Sequence, residues 1–225
     1  MEPSKTVLVV AAHADDEVMG CGGTMARHVA ASDPVHILYL TDGVSARTGT
    51  EGRDAAQRRG AAQEAGTILG VSSQIFCDFP DNRLDSVALI EVARVVEEQV
   101  EKLRPAIVYT HHYGDLNVDH KAAHQAVMVA CRAQPGCSVR EILAFEVMSS
   151  TEWSSPASAP FLPTVFIDIT QVEQRKMRAL EAYALEMRTA PHSRCAEHIL
   201  QLGRHRGHCV GVGAAEAFML MRMIR

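Results

Sequence analysis

The sequence predicts one α/β domain with a Rossmann-like, mostly parallel sheet flanked by helices. Three observations predict it. Short β-branched runs alternate with longer segments of helical period, the order that builds right-handed βαβ crossovers. The short runs are nearly continuous in apolar residues, as strands covered on both faces are. The length, 225 residues, exceeds the usual single domain but lies within the range of one α/β domain.

Each element has its own signal. "TVLVVAA" (6–12), "PVHILYLT" (34–41), "SQIFCDF" (73–79) and "PAIVYTHH" (105–112) read as the first four strands. Helices are expected at about 20–31, 53–69, 86–103 and 119–132. The third is the clearest: Leu89, Ala93, Val96, Val100 and Leu103 recur at helical spacing, and the run stops before Pro105. "EILAFEVM" and "TVFIDIT" read as further strands. Thr170 is expected to cap a helix reaching about Met187, with Met177, Leu180, Ala184 and Met187 on one face. A helical or mixed segment ends the chain, and the polar, proline-containing stretch 149–163 reads as a surface loop.

Composition excludes several classes. The net charge is −5, from 27 acidic and 22 basic residues, with no dense block of Lys or Arg, which argues against a nucleic-acid partner. No apolar run approaches the roughly 18 residues of a membrane span, and no signal-peptide pattern opens the chain, so a cytoplasmic protein is expected. The six cysteines include no C-x-x-C pair, which leaves them as small buried hydrophobes in a reducing compartment. A chain this long folds without a structural metal, so a bound metal would serve chemistry. The oligomeric state is open, a homo-oligomer included.

In open α/β sheets ligands bind beyond the carboxyl ends of the strands. That rule gathers four polar clusters on one rim: His13 to Glu17 after the first strand, Thr41-Asp42-Gly43 after the second, Asp78 to Asp85 after the third and "HHYGDLNVDH" after the fourth. His13, Asp15 and Asp16 together with the distant Asp119-His120 have the residue types of a mononuclear metal site. Imidazole and carboxylate suit zinc, and three protein ligands leave a fourth position for water. The competing reading makes the carboxylates caps for the helix that begins near Val18. "GCGG" with Asp42 downstream has a superficial likeness to a dinucleotide-binding unit, but the G-x-G-x-x-G spacing is missing and three acids would repel a pyrophosphate.

"AHADDE" followed by "MGCGG", "TDG", "RRGAAQEAGTILG", "FPDNRLD", "HHYGDLNVDH" and "RGHCVGVGAAEAF" resembles the PIG-L/LmbE-like zinc-dependent N-deacetylases over nearly the whole chain. The resemblance implies that His13, Asp16 and His120 hold zinc, with iron(II) or cobalt as alternative ions, and that Asp15 is the general base. It implies that Asp119 works through a neighbouring histidine, although its other reading is the N-cap of the following helix. Many relatives carry a histidine where this chain has Asn117, which leaves the acid or oxyanion donor to be supplied elsewhere. His111 and His112 are the nearby imidazoles, and His112 is assigned to catalysis.

Arg58 and Arg59 match the family's substrate rim, where a guanidinium could grip a phosphate or sugar hydroxyls, and Asp42 and Asn117 join them as substrate-binding candidates. Arg47, Arg53, Asp81 and Asn82 are weaker candidates of the same kind. The late Arg206-Gly207-His208 matches a region near the family's active site, whereas His124 is assigned to the surroundings of the site or the surface, and Trp153 to local packing. The implied substrate is a small-molecule acetamido sugar, nucleotide-linked or part of a small glycoconjugate. A non-catalytic sugar- or metal-binding member is the alternative, with a nucleotide-cofactor enzyme behind it.

Overall fold

The computed structural model describes residues 4–45, 53–155 and 157–225. Arg47 and Pro156 lie outside them, as does the side chain of Arg53. The elements are β1 (Val7–Ala11), α1 (Asp16–Ala30), β2 (Val35–Thr41), α2 (Arg53–Leu69), β3 (Ser73–Phe79), α3 (Leu89–Leu103), β4 (Ile107–His111), α4 (Val118–Ala130), β5 (Glu141–Phe145), β6 (Val165–Asp168), α5 (Glu173–Glu181), α6 (Ala196–His208) and β7 (Ala215–Met223). They form one seven-stranded sheet in the order β3-β2-β1-β4-β5-β7-β6. The first five are parallel, and β7 runs antiparallel between β5 and β6.

The continuous apolar runs divide between two cores. Val7, Val9 and Ala11 face one, Leu8, Val10 and Ala12 the other, as the two-residue period of a strand requires. α3 buries Val92, Ala93, Val96 and Val100 against the second core and closes at Arg104, whose φ of 47° ends the helix before Pro105. Its first turn starts at Leu89, because a short 3-10 turn at Leu84–Ser86 occupies the residues before it.

The glycine-rich run lies inside α1, which starts at Asp16 and kinks at Cys21 (φ −146°). Close packing explains two of its glycines: a Cβ on Gly20 would run into the Phe145 ring, and one on Gly23 would lie 2.7 Å from Ile169. The kink leaves two backbone donors for a partner from β7. Glu216 accepts from Gly23 N at 2.9 Å and Thr24 N at 2.6 Å, and Lys176 Nζ donates to Glu216 at 2.7 Å and to Met19 O at 2.8 Å. Both side chains are buried.

Two expectations are corrected. The helix expected from Thr170 begins at Glu173, since the Thr170 hydroxyl donates to Asp168 and accepts from Ala214 N instead of capping. The cap of α4 is Asn117, whose side chain accepts from Asp119 N at 2.8 Å, which frees Asp119 for another role. The mixed C-terminal segment resolves into α6 and the long strand β7.

Candidate active site

Because β1 to β4 are parallel, the loops after them meet at one edge of the sheet. β1 delivers His13, Asp15 and Asp16, and the first turn of α4 delivers Asp119 and His120. Asp16 is the pivot: one of its oxygens, Oδ2, lies 3.1 Å from His13 Nδ1, 3.2 Å from His120 Nε2 and 2.9 Å from His13 N. The three side chains can each offer one ligand atom within 4.8 Å of the others. Burial works to raise the Asp16 carboxyl, but His120 and His13 outweigh it and hold it well below the usual carboxylate range. Burial likewise works to lower His120, yet Asp16 and Asp115 carry it up to about 9.

The nitrogen of each imidazole that points away from Asp16 is also engaged. His13 Nε2 meets Asp119 Oδ2 at 3.0 Å and Asp81 Oδ1 at 3.2 Å. His120 Nδ1 meets Asp115 Oδ1 at 3.1 Å, and Asp115 in turn accepts from the Ser150 and Thr151 hydroxyls. Such carboxylates fix the tautomer and ring angle of a metal-ligating histidine. The donor set therefore fits a divalent cation of the zinc type, with two imidazoles and one carboxylate. A second group, His13, Asp81 and Asp119, is equally compact. Asp119 there already accepts from Asn82 N at 2.6 Å and Leu84 N at 2.9 Å, so its lone pairs serve the loop and His13.

Asp15 stands beside this cluster without joining it. Its backbone has φ 121° and ψ −29°, a region that disfavours any side chain. It makes no capping bond to α1. Its Oδ1 faces Arg58 Nη2 at 3.5 Å and its Oδ2 faces Arg194 Nη1 at 3.1 Å. Burial raises its pKa, and the two guanidiniums only partly reverse this. A carboxylate with raised proton affinity next to a cation site is placed to accept a proton from water.

The remaining sequence candidates divide. A cleft of about 170 Å³ brings His13, Asp15, His120, Asn117 and Arg58 together, with Asp81 and Asn82 on its wall. Asn117 spends its amide on the α4 cap and on Asn82 Oδ1 at 3.0 Å. His112 lies outside the cleft lining: its Nε2 meets Ala159 O at 2.9 Å and its ring packs on Phe161 and Tyr113. His111 stacks on His120 with 4.0 Å between centroids and accepts from Ala12 N. His124 supports it from behind through the His111 carbonyl. Asp42 accepts from Val44 N and Ser45 N in its own turn, and Arg59 is exposed, paired with Asp78 and lying over Phe76. Both border a separate hollow of about 310 Å³ on the far side of Arg58. Arg206 makes a two-pronged ion pair with Glu146.

Of the four cleft residues without a sequence signal, three stand out beside Ser149. Arg194 reaches Asp15 across 179 positions and is held by Ser149 Oγ at 2.9 Å. Glu186 approaches Arg58 at 3.8 Å, and Ser150 braces Asp115. All three sit in segments between elements, where no periodicity marks which side chains turn inward.

Residues 8–131 match the family model PIG-L, described as GlcNAc-PI de-N-acetylase. The chain belongs to the PIG-L family. This PIG-L chain is 33% identical over 174 residues to YaiS, an uncharacterized deacetylase of Escherichia coli K12, spanning 74% of this chain and 83% of YaiS. It is 27% identical over 186 residues to the diacetylchitobiose deacetylase of Thermococcus kodakarensis, spanning 80% and 69% of the two chains. The crystal structure of GalB, the 4-carboxy-2-hydroxymuconate hydratase of Pseudomonas putida KT2440, matches it with a TM-score of 0.79 at 25% identity over 98% of each chain. Membership of the PIG-L family supports an enzyme acting on N-acetyl groups.

Proposed function

We propose that the protein is a metal-dependent hydrolase that removes the N-acetyl group of an amino sugar, part of a nucleotide-linked sugar or a small glycoconjugate in the cytoplasm. The observation that carries this reading is the convergence of His13, Asp16 and His120 beside a buried, non-ligating Asp15. His13 Nδ1, Asp16 and His120 Nε2 would hold the ion, zinc or, in the cell, iron(II). When bound, such an ion polarises the amide carbonyl and acidifies water. Asp15 accepts the proton of the attacking water and returns it to the departing amine, while Arg58 and Arg194 keep its two oxygens in place. Asp119 and Asp115 orient the imidazoles. In this reading Asp15 carries the proton transfer; His112 lies outside the cleft lining, with Nε2 on Ala159 O and Nδ1 without a hydrogen-bond partner among the described residues. The sugar substrate is supported by the family description and by the chitobiose-directed relative, and the six free cysteines fit a reducing compartment.

The likeness to GalB favours a second reading, hydration of an unsaturated carboxylate by the same cation site and base. One experiment separates them. Protein reconstituted with zinc or iron(II) is incubated with a panel of acetamido mono-, di- and nucleotide sugars, and released acetate is measured. In parallel, the ultraviolet absorbance of a conjugated hydroxymuconate is followed. Acetate release that disappears in Asp15→Asn is expected. Absorbance loss without acetate from any sugar would replace the deacetylase with a hydratase.

A further inference from the structure

Glu17 is a buried carboxyl that the proposed chemistry does not use. It is fully shielded from solvent and does not line the cleft. Burying a carboxylate is costly unless its oxygens are satisfied, and here one oxygen serves Asp15 and the other two tyrosines. Oε2 accepts from Asp15 N at 2.9 Å. Oε1 accepts from Tyr183 OH at 2.5 Å and from Tyr39 OH at 3.0 Å. Tyr39 is fixed in turn by Gln74 Nε2, which donates to its oxygen at 3.1 Å and to Ala62 O at 2.6 Å. Glu17 thus ties the Asp15 peptide to β2, β3, α2 and the segment after α5.

The peptide it holds is the strained one. A non-glycine residue at φ 121° persists only where its surroundings over-determine it. Arg58 and Arg194 grip the side chain of Asp15; Arg58 Nε also donates to Ala14 O at 3.2 Å and Met19 N to Asp15 O at 3.1 Å, but the Asp15 N–H itself is answered by Glu17. Without an acceptor for Asp15 N the peptide can turn toward ordinary φ, and the carboxylate would swing out of both guanidiniums. We propose that Glu17 is a positioning residue: anchored by Tyr39 and Tyr183, it locks the strained Asp15 peptide and so aims the carboxylate. This inference rests on Asp15 being the base of the proposed reaction.

The test uses the full-length, metal-loaded protein with Glu17→Leu, Glu17→Gln and Tyr183→Phe. Leucine removes the acceptor, whereas glutamine keeps a carbonyl oxygen for Asp15 N. In Glu17→Leu, kcat is expected to fall about 100-fold, the consequence of a displacement near 1 Å, with KM and metal per chain within about two-fold of native. Glu17→Gln should keep at least about a fifth of native kcat, and Tyr183→Phe, the milder change if leucine impairs folding, should lose about five-fold, one hydrogen bond's worth. Crystal structures of the native protein and Glu17→Leu give a readout independent of turnover: Asp15 φ should relax to a negative value. A φ that stays near that of the native protein, or a glutamine variant as inactive as leucine, overturns the clamp. Native protein that binds metal but releases no acetate defeats the deacetylase reading, and Asp15 φ in the variant then still decides the clamp.

Discussion

Removing the Lys176 ammonium should expose how much the fold depends on the kink in α1. In Lys176→Met, Glu216 keeps its bonds from Gly23 N and Thr24 N but loses its counter-charge, and Met19 O loses its donor. Two charge-assisted hydrogen bonds at about 1.5–3 kcal/mol each give about 3–6 kcal/mol, in line with the about 3–5 kcal/mol typical of orphaning one member of a buried pair. Lys176 and Glu216 are 6% and 4% exposed, so solvent offers little relief. For a chain of this length each kcal/mol lowers Tm by about 2–4 °C, which places the expected drop at about 6–24 °C. Calorimetry and urea unfolding followed by circular dichroism measure it. Pairing the change with Glu216→Gln removes the stranded charge, so the double variant should recover about 1 kcal/mol or more relative to the sum of the single losses. A loss below about 1 kcal/mol in Lys176→Met, or single losses that add within about 0.5 kcal/mol, would refute the account.

Asp16→Ala should lose its metal while Asp15→Asn retains it, a contrast that elemental analysis of protein purified without chelator reads directly. Chelation of the native protein should lower its Tm, and added zinc should restore it, since an ion that binds only the folded state stabilises by mass action. Gly20→Ala should cost about 1–3 kcal/mol in urea unfolding, because its Cβ would enter the Phe145 ring. Among the thiols, burial pushes Cys131 up to about 12 and Cys77 up to about 11, so little thiolate exists near neutral pH. Iodoacetamide at pH 8 should label exposed Cys209 first, as peptide mass spectrometry would show.

What the sequence revealed followed from local rules. β1 was legible because a strand buried on both faces needs an unbroken apolar run, and α3 because Leu89, Ala93, Val96 and Val100 recur at helical spacing before Pro105. That the polar clusters holding His13, Asp16 and His120 share one rim was legible because ligands gather where parallel strands end, whereas the choice of these three among the acids and imidazoles came from the family resemblance. The supports of these residues were hidden, since each is a long-range partner. Nothing near Asp15 announces Arg194, and Glu216 meets Gly23 and Thr24 only because β7 inserts beside β5. Thr170 misled because a hydroxyl near a helix start had a nearer partner in Asp168. Residue types alone do not tell that His111 and His112, adjacent at the end of β4, point opposite ways, His111 toward His120 and His112 toward Ala159.

The placement of β7 bears on how the molecule is made. Among the described residues β6 pairs with no strand other than β7, and β7 follows the other strands of the sheet along the chain. On the ribosome the five parallel strands can assemble, but β6 must wait without an edge to join. Glu216 arrives on the same late strand, so the helix carrying Asp16 and Glu17 keeps two unanswered amides until β7 has emerged. Locking of the helix that follows β1 is thereby tied to a strand 193 positions further along, and a nascent chain cut short before β7 would carry the candidate site on a helix that is not yet locked.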